Sequence, residues 1–320
     1  MADKPSVLIT RRLPDSNLAA AHAAYHVTLN DRETPLSVEE ANHALGQYDA
    51  ILPTLGDGFG TAAFEGGPHR CKLLANFGVG YNHIDVAAAQ AAGVAVTNTP
   101  GAVTDATADI ALTLMLMSCR RAGEGERMLR ADAWPGWQPT QMLGLHMTGK
   151  TLGIIGMGRI GKAIARRAHH GFGMQIVFQN RSQVAEPGVP AQQLETLHEV
   201  MAAADVVVTA VPATPQTHHM IDASALAAMQ PHAHFVNIAR GDIVDEAALI
   251  AALQTGQIAG AGLDVYEFEP HVPDALKALE NVVLLPHLGT SALEVRQSMG
   301  DMALSNLAAH FAGMPLPNPV

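Results

Sequence analysis

The stretch Thr151-Leu-Gly-Ile-Ile-Gly156-Met-Gly158-Arg-Ile-Gly161 decides the fold. Thr151 to Ile155 reads as a buried strand. Glycines at G-x-G-x-x-G spacing follow at once, and a helical pattern opens behind them. Gly156 permits the tight turn, Gly158 lets backbone approach a pyrophosphate, and Gly161 lets helix and strand pack closely. The helix N-terminus offers free N–H groups and a positive dipole end to phosphate. Gly156, Met157, Gly158, Arg159, Ile160 and Gly161 are therefore candidate dinucleotide-binding residues.

Working outward, short apolar runs alternate with helical stretches on both sides. Upstream, Ser6–Thr10, Ala50–Pro53, Lys72–Ala75 and Val94–Val96 read as strands, with helices at Leu18–Tyr25, Val38–Leu45 and Val86–Ala92. A long helix near 104–131, capped by Thr104 or Asp105, follows. The Trp134-Pro-Gly-Trp137-Gln-Pro139 element cannot be regular structure. Downstream strands are expected at Gln175–Phe178, Val206–Ala210, His234–Ile238, Ala259–Leu263 and Val282–Leu285, and an amphipathic helix near Ala292–Phe311 closes the series. Such alternation predicts an α/β chain with two doubly wound parallel-sheet domains. Ligands of such sheets bind at the carboxyl ends of the strands, so the expected active site is a cleft between the domains.

Composition agrees. The chain has 320 residues, 48% hydrophobic and 15% charged, enough for buried cores and against disorder. A formal net charge of -11 disfavours nucleic acid and anionic membranes as partners. Cys71 and Cys119 show no pairing or metal-ligand pattern and read as inert thiols in a reducing compartment. No long apolar run follows a basic start, so no signal peptide and a cytoplasmic location are expected. His169-His170, His218-His219 and His232-x-His234 match no metal-ligand spacing, and no catalytic metal is expected. Arg166-Arg167 reads as a solvated helix face.

Cofactor choice is read about 20 residues beyond the fingerprint. There Asn180-Arg181-Ser182 replaces the carboxylate that would accept from a ribose 2′-OH. A neutral amide, a guanidinium and a hydroxyl suit a 2′-phosphate, so NADP is favoured over NAD. Three further segments follow predicted strands: Asn237-Ile-Ala-Arg240-Gly-Asp-Ile-Val-Asp-Glu246, Leu263-Asp264-Val-Tyr-Glu-Phe-Glu269-Pro270 and Pro286-His287-Leu-Gly289. Singly, each residue has a bland reading as a structural arginine, a turn carboxylate or a helix-capping histidine. Together they offer Arg240, Glu269 and His287 to one cleft.

These segments resemble, over nearly the whole chain, those of the D-isomer-specific 2-hydroxyacid dehydrogenases. The resemblance implies a discontinuous arrangement. A flavodoxin-like substrate domain would use residues 1–100 and 289–320, and a Rossmann NAD(P)-binding domain residues 101–288. It implies Arg240, Glu269 and His287 as catalytic residues. His287 would protonate the keto oxygen, Glu269 orient the imidazole, and Arg240 hold the substrate carboxylate. Further cofactor contacts are implied at Thr107, Val211, Pro212, Thr217, Ile238, Ala239, Arg240, Asp264 and Gly289. The loop Phe77-Gly78-Val79-Gly80 would bind the substrate carboxylate with its backbone N–H groups. The Asn98–Asp109 stretch, the tryptophan element and Asn180-Arg-Ser182 are most similar to glyoxylate and hydroxypyruvate reductases. In that subgroup Trp137 would reach the active site of the partner subunit in a homodimer whose interface includes the helix near 104–131. Glu269, where formate dehydrogenases carry Gln, argues against that activity. Another D-2-hydroxyacid or phosphite dehydrogenase of the same fold, and a nucleotide-sensing corepressor-like binding protein, are the alternatives.

Overall fold

A computed structural model describes residues 4–320. The chain divides into two compact units: residues up to Val103 with Ser291–Val320, and Thr104–Thr290. In chain order the first unit contains β1 (Ser6–Ile9), α1 (Asp15–Ala24), β2 (His26–Leu29), α2 (Val38–Gln47), β3 (Ala50–Leu52), β4 (Leu73–Ala75), α3 (Val86–Ala91) and β5 (Ala95–Thr97). Its five strands are parallel in the order β2-β1-β3-β4-β5, the flavodoxin-like order. Ser37 and Glu40 form a reciprocal capping box at the start of α2, and Asp85 caps α3.

The second unit contains α4 (Thr104–Cys119), α5 (Ala122–Arg130), β6 (Thr151–Ile155), α6 (Arg159–Phe172), β7 (Gln175–Gln179), β8 (Ala191–Gln193), α7 (Leu197–Ala203), β9 (Val206–Thr209), α8 (Ala223–Ala227), β10 (His234–Asn237), α9 (Glu246–Gln254), β11 (Gly260–Leu263), α10 (Asp274–Lys277) and β12 (Val282–Leu284). The sheet order β12-β11-β10-β9-β6-β7-β8 is all parallel and reverses direction beside β6. That reversal is the switch point where doubly wound sheets bind dinucleotides. β9 is buried on both faces. Val206 and Val208 join the core formed with α4 and α6, and Val207 joins the opposite core with α7 to α9. The last helix, α11 (Leu293–Phe311), returns to the first unit. It closes on α1 at Gly300, where a Cβ would lie 2.3 Å from the Asn17 side chain. Asn17 Nδ2 donates to the Gln297 carbonyl (3.1 Å) and to Asp301 (2.7 Å). Among the described residues no helix is long and apolar enough to cross a membrane.

Several sequence-based expectations are corrected. The long helix near 104–131 is two helices. Cys119 gives its carbonyl to the N–H of Leu145 (2.8 Å), and Arg121 turns left-handed at φ 53°. Gly144 fits only because it has no side chain: a Cβ would lie 2.2 Å from the Cys119 oxygen. Thr104 and Asp105 open α4 as its first residues instead of preceding it. Tyr25 ends α1 in extended conformation. Strands β2 and β8 are additions, both short and at sheet edges. Arg167 is no solvated residue: it reaches from α6 to Asp105 (3.0 Å) and Asp109 (2.7 Å) on α4.

Candidate active site

The fingerprint forms the turn its glycines require. Gly156 adopts φ 98°, and a Cβ there would lie 2.7 Å from the Val211 side chain. A Cβ on Gly161 would lie 2.2 Å from the Gly156 oxygen, so helix and turn touch backbone to backbone. Gly158 differs. It is exposed, it caps α6 without a side-chain bond, and its missing Cβ faces open space. This cradle at the N-terminus of a 14-residue helix fits a dinucleotide pyrophosphate. Asn180 Oδ1 accepts from the Met157 N–H (3.2 Å), which ties the loop after β7 to the fingerprint. Asn180 Nδ2 donates to the Ser182 carbonyl (3.0 Å), and Arg181 and Ser182 are exposed.

At the carboxyl ends of β10, β11 and β12 the second unit brings Arg240, Glu269 and His287 together. His287 adopts left-handed backbone at φ 55°. Its Nδ1–H donates to Glu269 Oε2 at 2.8 Å, and Glu269 Oε1 accepts the Tyr266 N–H at 3.0 Å. Both carboxylate oxygens are thereby held, and His287 Nε2 stays available for a transferable proton. Burial pulls the Glu269 carboxyl upward. The hydrogen bond and charge of His287, the Tyr266 N–H and the charge of Arg240 outweigh that, and the net shift is downward. Burial pulls the Arg240 guanidinium below its ordinary value, against the charges of Glu269 and Asp242. Arg240 Nη1 donates to the Ala239 carbonyl at 2.6 Å, which orients the fork.

Asp264 accepts the N–H groups of Leu288 (2.6 Å) and Gly289 (2.8 Å) and is 1% exposed. It thus fixes the loop that follows His287. Burial pushes its carboxyl up more than these bonds pull it down. Thr107 Oγ1 donates to the Gly289 carbonyl at 3.2 Å, so Thr107, Asp264 and Gly289 form one cluster. Thr217 donates to the Pro212 carbonyl (2.8 Å) and pins the turn after β9, while Ile238 and Ala239 are buried. Within the first unit, Asn76 Nδ2 holds the carbonyls of Gly78 and Gly80 at 3.0 Å each, and Asn98 Nδ2 holds that of Val79 at 2.9 Å. No described residue accepts the N–H of Val79 or Gly80. A loop with its carbonyls tied back and free N–H groups is suited to an anion. Trp137 has 79% of its surface exposed.

The residue-by-residue reading missed Tyr266 and the His219–Glu267 pair. Tyr266 holds Glu269 with its N–H, and its hydroxyl donates to the Leu285 carbonyl at 2.9 Å. Its signal was its place three residues before Glu269. His219 Nε2–H donates to Glu267 Oε1 at 2.8 Å. His218, His219 and Glu267 present ligand atoms within 4.8 Å of one another, but the facing pair is already joined by that hydrogen bond.

Fold and site together define a dinucleotide-binding α/β protein in which Arg240, Glu269 and His287 are grouped at the strand ends. Comparison with known proteins places it further. Residues 112–289 match the family described as D-isomer specific 2-hydroxyacid dehydrogenase, NAD binding domain. The chain is 40% identical over 317 residues to the glyoxylate reductase of Thermococcus onnurineus, covering 97% of this chain and 94% of that one. It is 36% identical over 313 residues to the glycerate dehydrogenase of Hyphomicrobium methylovorum, covering 97% of each. The NADPH-dependent glyoxylate/hydroxypyruvate reductase of Sinorhizobium meliloti, solved with NADP and malonate, superposes with a TM-score of 0.88 at 34% identity, covering 99% of this chain and 97% of that one. The chain belongs to the D-isomer-specific 2-hydroxyacid dehydrogenase family. It is an enzyme of that family, similar to glyoxylate reductases, with an NAD(P)-binding Rossmann domain.

Proposed function

We propose that this enzyme reduces a small 2-keto acid, glyoxylate to glycolate or hydroxypyruvate to D-glycerate, with NADPH as its preferred donor. The observation that carries this reading is the 2.8 Å bond from His287 Nδ1–H to Glu269, with the charge of Arg240 acting on the same carboxylate. A bound nicotinamide supplies the hydride. Arg240 binds the substrate carboxylate and polarises the keto group. The Phe77–Gly80 loop offers that carboxylate its free N–H groups. His287 donates a proton from Nε2 as negative charge develops on the keto oxygen, and Glu269 stabilises the charged imidazole before the transfer.

In this reading the first unit is the substrate domain and the second the cofactor domain. The Gly156–Gly161 turn would hold the pyrophosphate. Arg181 and Ser182 bind the 2′-phosphate, and Asn180 holds their loop to the fingerprint. The NADP complex of the Sinorhizobium relative supports this cofactor. Leu129, Trp134, Trp137 and Leu143 form an exposed apolar series on the second unit. That supports a homodimer in which Trp137 enters the partner's site.

A panel of 2-keto acids assayed with both cofactors tests the reading. The expected result is highest kcat/KM for glyoxylate or hydroxypyruvate with NADPH. Arg181→Ala is expected to weaken NADPH about tenfold or more and leave NADH nearly unchanged, as loss of a phosphate-paired guanidinium requires. A clear NADH preference in the unaltered enzyme overturns the cofactor assignment. Absence of turnover on every small keto acid overturns the substrate assignment.

A further inference from the structure

Arg240, Glu269 and His287 lie on loops that leave three different strands, β10, β11 and β12. Their alignment depends on contacts that the proposed chemistry does not itself use. Gly241 abuts the next loop so closely that a Cβ would lie 1.8 Å from the Tyr266 carbonyl carbon and 2.2 Å from the Glu267 nitrogen. The Arg240 loop and the Glu269 loop therefore touch backbone to backbone. Tyr266 links the latter to the third loop, through its hydroxyl to the Leu285 carbonyl at 2.9 Å.

His219, in the loop after β9, joins the first two loops from outside. Its backbone N–H donates to the Asp242 carbonyl at 2.9 Å, two residues beyond Arg240. Its Nε2–H donates to Glu267 Oε1 at 2.8 Å, two residues before Glu269. The residue holds left-handed backbone at φ 49°, a conformation that costs an L-residue energy and persists only where surrounding contacts fix it. The His218 ring packs against it with centroids 4.0 Å apart.

We propose that His219 is a positioning residue that, by holding Glu267, fixes the loop that aims Glu269 at His287. This rests on the reading of His287 as proton donor. The local charges give the reason. The Glu267 N–H donates to Glu246 Oε2 at 3.4 Å, so two carboxylates share this corner. Burial pushes the Glu246 carboxyl up, the Glu267 N–H bond pulls it down, the charge of the Glu267 carboxylate pushes it up again, and His271 partly offsets this. The His219 ring Nε2–H supplies the Glu267 carboxylate with a donor. Without it, repulsion from Glu246 drives Glu267 toward solvent. The backbone from Tyr266 to Glu269 then loosens, and the Tyr266 N–H no longer meets Glu269 Oε1.

The test compares His219→Ala, His219→Gln, Glu267→Ala and Glu269→Gln in the full-length enzyme. His219→Ala is expected to lower kcat for keto acid reduction about tenfold or more, as misaimed catalytic groups do. It should move the alkaline limb of kcat/KM to lower pH, in the direction that Glu269→Gln moves it, with the Kd for NADPH unchanged. Glu267→Ala should reproduce this, which covers the case of a His219→Ala chain that does not fold. His219→Gln, whose amide N–H can reach the same oxygen, should restore most of the rate. A wild-type rate and pH limb in both alanine variants overturn the proposal, as does a defect confined to NADPH binding. If Glu269→Gln itself moves neither rate nor limb, the reading of Glu269 falls and the positioning role falls with it.

Discussion

The two ends of β10 surround a histidine with different partners. At the amino end, His234 is 6% exposed and its Nδ1 lies 2.8 Å from Ser118 Oγ. Burial, helped by the charge of His232, pushes it down to about 4, so it is neutral at physiological pH. At the carboxyl end, the loop from β10 sets Arg240 beside Glu269, whose carboxylate accepts from His287 at 2.8 Å. The two imidazole contacts are equally short. What separates them is the surroundings: burial keeps the His234 ring uncharged beside a neutral hydroxyl, whereas His287 donates to a carboxylate. Cavity size does not separate them. The amino end has a cavity of about 550 Å³ lined by Ser118, Cys119 and His234, among others, yet its buried histidine meets the Ser118 hydroxyl instead of a carboxylate. The carboxyl ends of the strands, where doubly wound sheets bind ligands, are the ends at which these charged groups are arranged.

This contrast can be broken at either end. The largest effect is expected at the carboxyl end. Arg240→Met should lower kcat/KM for 2-keto acids by roughly 10³-fold, about 4 kcal/mol, because it removes a charge-paired anchor from a desolvated site. A loss below about tenfold would remove Arg240 from substrate binding.

At the amino end the effect is on stability. His234 binds a proton in the unfolded chain near its ordinary value of 6.5 and in the folded chain only near 4. Its folded value is depressed, so the unfolded chain binds more protons between these limits. Stability is therefore greatest above about pH 6.5 and falls as pH drops toward 4, by about 3 kcal/mol in all. Urea midpoints at pH 7 and pH 4.5 should show a shallower pH dependence in His234→Gln than in the natural chain. Equal slopes would show that His234 is not buried as a neutral ring.

A smaller loss is expected from Glu269→Gln, roughly 30-fold in kcat, because the amide keeps the shape but removes the charge and one of the two acceptor oxygens. The same substitution should flatten the acid limb of stability. The depressed Glu269 carboxyl contributes stability above its unfolded value, and that contribution is lost as pH falls through the lower folded value. The smallest effect belongs to Cys119, which lines the amino-end cavity. Burial pushes its thiol up to about 12, so alkylating reagents at pH 8 should leave the native enzyme unmodified and fully active. Rapid loss of activity on alkylation would show that this end opens in solution.

Much of this contrast was legible in the amino acids. The fingerprint placed the dinucleotide turn because Gly156 and Gly161 answer steric demands that no other residue meets. The central strands were readable as continuous apolar runs, as in β9. The edge strands were not. β2 alternates exposed and half-buried residues over four positions, and β8 is Ala-Gln-Gln, so neither leaves a hydrophobic signature. The break between α4 and α5 was hidden because its cause is distant. Leu145 takes the Cys119 carbonyl, and nothing at Arg120-Arg121 announces it. Arg167 looked solvated because its partners, Asp105 and Asp109, lie on another helix. Within the site, residue types were legible and supports were not. His219 and Tyr266 act through backbone conformation and long-range contacts that no local pattern records.

The most direct test of the central claim is the reduction of glyoxylate by NADPH in the natural enzyme and in His287→Ala, followed across pH. The expected result is a loss of roughly 10²–10⁴-fold in kcat, the range for removal of a general acid, with NADPH affinity within about twofold. The natural enzyme should slow as pH rises and its donor proton is lost, and the variant should not share that limb. A His287→Ala enzyme with nearly natural kcat, or a natural enzyme whose reduction rate climbs with pH, would contradict the account.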